Sequence, residues 1–227
     1  MDIAQAERRG HWVSMRLEEV AELEALQRLV YGSLVDRDLF KPAPPGFFES
    51  VIEGRGTILG RRVEGRLIAF GTLLTGLDSK DHARERMGLG PEIPLAMMQG
   101  VVVDPAFNGF QLHRRLLQRR LSLLRPAATW HVYATAAPGN IASWKNMLDE
   151  GYQVADISVM YQRLLRFTLY RPPRPSVVSA EEPGLTWVEP EDQDGQRRLL
   201  QTGGRGVAFR VRGDRAEIGY RRCQSSA

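Results

Sequence analysis

The residues best suited to chemistry lie in two short loops, each between a strand and a helix. In the first, an apolar strand over residues 95–103 ends in Val101-Val102-Val103 and is followed by Asp104-Pro105. It then passes through Asn108-Gly109-Phe110-Gln111 into a helix from about Leu112. A strand that enters a helix through a glycine-containing loop turns several backbone N–H groups outward at the helix N-terminus. Those donors, with the helix dipole behind them, seat an anionic group such as a phosphate. The second loop runs from a strand over 129–135 through Pro138-Gly139-Asn140 into a helix ending near Gly151. Asn140 suits the N-cap of that helix and Gly151 its C′ position. Singly, each of these residues is accounted for by helix capping. The second stretch repeats the strand-to-helix form of the first.

The elements that must position these loops follow from hydrophobic periodicity. Residues 11–16 read as a first strand, and 18–31 as an amphipathic helix with Val20, Leu23, Leu26, Leu29 and Val30 on one side. The prolines of 36–46 mark a loop, and 47–53 a short helix. Residues 57–63 and 66–75 form a hairpin around Glu64-Gly65. Residues 76–94 are charged, carry Asp78, Lys80, Asp81 and His82, and lack strand periodicity. They read equally as a substrate loop and as a solvated insertion. The run at 95–103 is nearly all apolar and is therefore expected to be central in its sheet. In the helix over 112–124, Leu112, Leu116, Leu117, Leu121, Leu123 and Leu124 are expected on the core side. Arg114, Arg115, Arg119, Arg120 and Arg125 are expected on the other. Residues 152–156 and 158–168 close the domain as an antiparallel pair.

Residues 1–170 are thus expected to form one domain. A proline-rich linker follows over 171–183, and 184–227 form a small extension of one helix and a hairpin. Some 45 residues barely hold a core alone, so the extension is expected to dock on the main domain or on a second copy of the chain, a homodimer.

Composition excludes more than it selects. The 43% hydrophobic and 26% charged content is ordinary for a globular chain. A net charge of +4 suits a polyanionic small ligand as well as nucleic acid, and reads first of all as a plain solvated surface. The arginines at 114, 115, 119 and 120 have no interleaved aromatics, which gives nucleic acid no support as a partner. The single cysteine, Cys223, builds neither a disulfide framework nor a cysteine metal site, and reads as an inert terminal thiol. His11, His82, His113 and His131 lack metal-ligand spacing, so no metal is expected. Residues 1–10 lack the apolar core of a signal peptide, and no apolar run reaches the roughly 20 residues that span a bilayer. A soluble cytoplasmic protein without a membrane partner is expected.

The order of elements, with Val101-Val102-Val103-Asp104-Pro105 before Asn108-Gly109-Phe110-Gln111, resembles the fourth strand and pyrophosphate loop of the GNAT acyltransferase superfamily. Pro138-Gly139-Asn140-Ile141-Ala142-Ser143 with Gly151-Tyr152 resembles the family pattern of an Asn, a small residue three positions on, and a Gly-aromatic pair. The chain departs from the family in the first loop, where only Gly109 remains of the spaced glycines and Gln111 stands where small residues are usual. The resemblance implies a mixed α/β GNAT fold with the C-terminal extension added to it. It further implies transfer of an acyl group from an acyl-CoA, first of all acetyl-CoA, to an amine of a small molecule or peptide.

On that resemblance Val101, Val102 and Val103 pair with the pantetheine amides, and an N–H near Val102 polarises the thioester carbonyl. Asn108, Gly109, Phe110, Gln111, Leu112, His113 and Arg114 offer N–H groups or charge to the pyrophosphate, and Asn140 and Ser143 flank the pantetheine arm. The tyrosine that many members place seven residues after the Asn is Met147 here, which donates no proton. Tyr133, Tyr152 or water could replace it, or the thiolate could leave unassisted. Asp104, His131 and Glu49 are candidate bases. Asp104 reads first as a turn former before Pro105, and His131 first as a strand residue facing a partner. A longer acyl chain, or a GNAT-fold binding or scaffold protein without turnover, are the alternatives.

Overall fold

The computed structural model describes residues 10–77, 82–126 and 129–222. The N-terminal segment, Asp78, Lys80, Asp81 and Cys223 lie outside the described residues. In chain order the elements are β1 (His11–Ser14), α1 (Val20–Ser33), α2 (Phe47–Ser50), β2 (Gly56–Val63), β3 (Arg66–Leu74), α3 (His82–Met87), β4 (Leu95–Val103), α4 (Leu112–Leu123), β5 (His131–Ala136), α5 (Ile141–Leu148), β6 (Gln153–Met160), β7 (Leu164–Arg171), β8 (Thr186–Val188), α6 (Gln193–Gln201), β9 (Gly204–Arg212) and β10 (Arg215–Arg222). The class is mixed α/β. Two compact units divide the chain, residues 1–78 with 96–127 and residues 79–95 with 128–227.

The first unit is the antiparallel sheet β1-β2-β3-β4 with α1, α2 and α4. The expected hairpin is present. Glu64 and Gly65 have φ of 50° and 80°, the left-handed pair that a two-residue turn between right-twisted strands requires. Nearly every residue of β3 is buried, because both of its faces are covered. Leu67 shares a groove with Leu26 and Leu29 of α1. Its neighbour Ile68, pointing to the opposite face, joins Leu112 and Leu116 of α4 in a cluster closed by Trp12, Val101, Val103, Phe107 and Phe110. From α2, Phe48 meets Phe70 of β3 edge to face at 5.5 Å.

The second unit orders its strands β5-β7-β6-β9-β10-β8. β7 lies between β5 and β6, antiparallel to both. Residues 184–222 continue this sheet: β9 joins β6 at Val154↔Gly206 and forms the expected hairpin with β10. Trp144 of α5 is wholly buried, its ring 5.4 Å from Phe209 of β9 and 6.4 Å from Phe167 of β7. The C-terminal hairpin therefore packs against residues of the 128–170 segment.

Three local expectations are corrected. The 76–94 segment is not without regular structure: it contains α3, which is fastened where Arg84 donates to the carbonyls of Gly90 and Ile93 at 3.1 and 2.8 Å. In α4, Leu123 faces solvent, 45% exposed. Arg120, expected on the solvent face, is 1% exposed. The short strand β8 was not apparent from periodicity, since three residues are too few to show a repeat.

Candidate functional site

In the first unit the candidate residues lie along one continuous path from β4 into α4. β4 is irregular in its middle. Its register against β3 pairs Gly71 with Val101 and Thr72 with Gln99, so Gly100 has no partner and is the extra residue of a β-bulge. Gly100 has φ 52°, a left-handed conformation that glycine adopts without steric cost, and it is exposed although the strand around it is largely covered. The side chain of Val102 is buried, 1% exposed, while Val101 and Val103 are half-buried against the α4 cluster. What this strand can offer a ligand is therefore its backbone.

The exit from β4 is latched. Asp104 is buried, its N–H donates to Ile68 at 2.8 Å, and its carboxylate accepts from Ala106 N–H at 2.9 Å and pairs with Arg66. This is the turn-forming role that competed with a role as base. A single helical turn over Pro105–Phe107 then delivers Asn108 and Gly109, both exposed. Gln111 enters α4 with φ 55° and ψ 21°, and its side chain makes no capping hydrogen bond to the helix N-terminus. The left-handed Gln111 explains why small residues suit this position: a Cβ here costs about 1–2 kcal/mol. Leu112 is buried in the core, so only its backbone is available to a ligand. His113 and Arg114 are half-buried. Desolvation, and then the positive charge of Arg120, pull the His113 imidazole down to about 4, so it is neutral near pH 7.

In the second unit the N-terminus of α5 is closed by its own side chain. The Asn140 carboxamide oxygen accepts from Ser143 N–H at 3.2 Å, as a cap should. Trp144 Nε1 donates to the Pro138 carbonyl at 2.8 Å and ties the helix to the loop before it. Gly151 ends the helix with φ 80°, and Tyr152 N–H returns to Met147 at 3.0 Å. Met147, Tyr133 and Tyr152 are all buried. His131 Nδ1 lies 2.6 Å from the Tyr170 hydroxyl, with the rings stacked. Burial lowers the His131 pKa and raises that of Tyr170, and the charge of Arg205 opposes the latter. His131 thus has the partner that the strand reading anticipated.

Glu49, the third candidate base, differs from the other two. Its Oε2 is buried and makes no hydrogen bond among the described residues. It adjoins Phe48, which packs on Phe70, the register partner of Val102.

Two features escaped the sequence reading although signals for both were present. A glycine inside an apolar strand, here Gly100, marks a bulge. Arg120 continues the four-residue row of Leu112 and Leu116, which faces the sheet.

The structure is similar to that of the ribosomal-protein-S18-alanine N-acetyltransferase from Escherichia coli, with a TM-score of 0.56 at 14% identity over 74% of this chain and 96% of that one. A putative acetyltransferase from Salmonella typhimurium, solved with acetyl-CoA, matches with a TM-score of 0.55 at 15% identity over 75% of this chain and 97% of that one. The chain has the GNAT acetyltransferase fold. An N-acyl amino acid synthase from uncultured soil microbes shares this GNAT architecture, with a TM-score of 0.54 at 15% identity over 73% of this chain and 91% of that one. No family model matches the sequence, and no curated protein is significantly similar to it. Among the described residues no helix is long and apolar enough to cross a membrane, and no three His, Cys, Asp or Glu side chains converge as metal ligands.

Proposed function

We propose that the protein is an acyl-CoA-dependent N-acyltransferase, with acetyl-CoA as donor and an amine of a small molecule or peptide as acceptor. The observation that carries this reading is the N-terminus of α4: its N-cap residue, Gln111, makes no side-chain capping bond, and a bulged strand and an exposed glycine loop lead into it. Residues 108–114 suit a pyrophosphate there, through backbone N–H groups and the helix dipole. The backbone of Val101, Val102 and Val103 would pair with the pantetheine amides, with Asn140 and Ser143 also assigned to that arm. The fold shared with acetyl-CoA-bearing structures supports the donor class.

In the reaction the neutral amine attacks the thioester carbonyl. The C–N bond forms, the oxyanion is held by backbone N–H groups near Val102, and the C–S bond breaks. A thiol pKa near 8.5 makes the thiolate a tolerable leaving group, so solvent can protonate it where Met147 cannot. Glu49 is the carboxylate we assign to receive the ammonium proton, directly or through water, because Asp104 and His131 are engaged elsewhere. Glu49→Gln should lower kcat by about a hundredfold, the lower end of general-base contributions. An unchanged rate would remove Glu49 from this role.

Met147 favours a second reading, a GNAT-fold protein that binds CoA without turnover. A longer acyl donor is the variant suggested by the N-acyl amino acid synthase. Turnover with acetyl-CoA and longer acyl-CoA donors, over a panel of amines and peptides, separates these readings. We place the reaction in the cytoplasm. We assign catalysis to residues 1–170, with 184–227 as an extension that serves as a lid or a homodimer contact.

A further inference from the structure

Among the described residues Arg120 is the most deeply buried charged side chain of the first unit, and nothing in the reaction as described uses it. A buried guanidinium is costly unless its donors are bonded in fixed geometry. Here Nη1 donates to the Thr72 carbonyl at 2.7 Å and Nε to the Leu116 carbonyl at 3.2 Å. The group lies directly over Gly71. A Cβ at that glycine would stand 2.9 Å from Cζ and 3.0 Å from Nε, closer than packed atoms approach. Gly71 and Arg120 are therefore matched, the missing side chain of one making the seat of the other.

The place that Arg120 grips is the place where β3 changes register. The shift against β4 falls between Gly71 and Thr72, opposite the bulged Gly100. A bulge disrupts the ladder and needs a donor or acceptor from outside it. Arg120 supplies a donor to Thr72 from the α4 side. It does so from two turns beyond the proposed pyrophosphate seat, on the same helix. His113, on that helix and neutral near pH 7, adds no second positive charge.

We propose that Arg120 is a positioning residue for acyl transfer: seated on Gly71 and bonded to Thr72, it fixes the β4 bulge at Gly100 and so aims the following backbone N–H groups at the thioester carbonyl. This rests on the acyltransferase reading. Through α4, the same side chain links the pyrophosphate loop rigidly to the acyl end of the strand. A bulge that relaxes by a fraction of an ångström still pairs with pantetheine but no longer meets the oxyanion.

The test uses Arg120→Met, Arg120→Lys and Gly71→Ala in the full chain, with thermal melting to establish folding. Kinetics with acetyl-CoA, titration with free CoA and amide hydrogen exchange at residues 99–103 are measured on each. Loss of one oxyanion donor costs about 10²–10³ in kcat, so misaiming is expected to cost about tenfold to a hundredfold. The expected result is that loss in kcat for Arg120→Met and Gly71→Ala, with free-CoA affinity within about twofold. Arg120→Lys should recover part of it, and exchange at Gly100 and Val101 should accelerate in the two impaired variants. Gly71→Ala keeps the arginine, so it carries the test where Arg120→Met fails to fold. Equal losses in kcat and CoA affinity, or unchanged kcat in a folded variant, would overturn the proposal. A wild-type protein without any acyl-CoA turnover overturns the acyltransferase reading instead, and the exchange pattern then decides the brace alone.

Discussion

The two strand–loop–helix stretches look alike in sequence and differ at the first turn of the helix. In the first unit α4 is entered by a left-handed Gln111, whose own side chain makes no capping bond. In the second unit Asn140 closes α5 by accepting from Ser143 N–H. A helix start satisfied by its own side chain has less to offer an anion, while one left open keeps its donors and dipole for a ligand. The shared pattern thus divides into a helix start that its N-cap side chain leaves open, where we propose the phosphate seat, and a capped helix in the other unit. Stability is gained at the second and given up at the first, as expected where a site is kept for binding.

The largest expected effect comes from making the first helix resemble the second. Gln111→Glu puts a negative charge at the mouth of α4, where it favours the helix and repels pyrophosphate. Acetyl-CoA affinity measured by calorimetry should fall by about tenfold or more, about 1.4 kcal/mol, while the melting temperature holds or rises. Unchanged affinity would separate the α4 terminus from the ligand. Opening the second helix is the reciprocal change. Asn140→Ala should cost about 1 kcal/mol through the lost cap, lowering the melting temperature by about 2–4 °C for a chain of this size. Its effect on acetyl-CoA affinity should be smaller than that of Gln111→Glu, and a larger one would reverse the assignment of the two termini.

Gln111→Gly sharpens the comparison in the other direction. Relief of the left-handed residue should stabilise the chain by up to about 1 kcal/mol, offset in part by glycine's freedom in the unfolded state, with acetyl-CoA binding retained. A drop in affinity without a change in stability would show that the Gln111 side chain itself contacts the ligand. The smallest effect concerns pH. The folded-state pKa of His113 is depressed to about 4 from the ordinary 6.5, so between those values the unfolded chain binds more protons. The contribution is full above about pH 6.5 and is lost progressively as pH falls toward 4. His131, in the second unit, is depressed by burial and acts in the same direction. Chemical denaturation from pH 7 to pH 4 should show His113→Gln flattening part of this decline, and an identical slope in that variant would remove His113 from the account.

Much of the layout was readable because periodicity and turn chemistry agreed. The β2–β3 hairpin has Glu-Gly where a left-handed pair is needed, β4 is apolar on both faces, and Asn140 and Gly151 bracket α5. The misreadings arose where residue type and position disagreed. Arg120 was placed outside by its charge, yet it stands in the row Leu112, Leu116, Arg120, Leu124, every member of which is buried. Position decided, because Gly71 leaves room for a guanidinium and Thr72 supplies an acceptor, neither visible from the helix sequence alone. Gln111 was out of pattern by type, and the structure places it in a left-handed conformation, which a residue without a Cβ adopts at less cost. In the charged 76–94 segment, six residues were too short a run for periodicity to reveal α3, which carbonyls from its own loop hold in place through Arg84. The base could not be chosen by sequence. What separates Asp104, His131 and Glu49 is which of them already holds a hydrogen bond, a property of tertiary structure alone.

The central claim is that the open end of α4 seats the pyrophosphate of an acyl-CoA, and calorimetric titration of the full chain with acetyl-CoA tests it most directly. The account predicts saturable binding of one acetyl-CoA per chain with a dissociation constant in the micromolar range, retained in large part by free CoA. A protein that melts cooperatively and takes up no heat of binding from either ligand would contradict it.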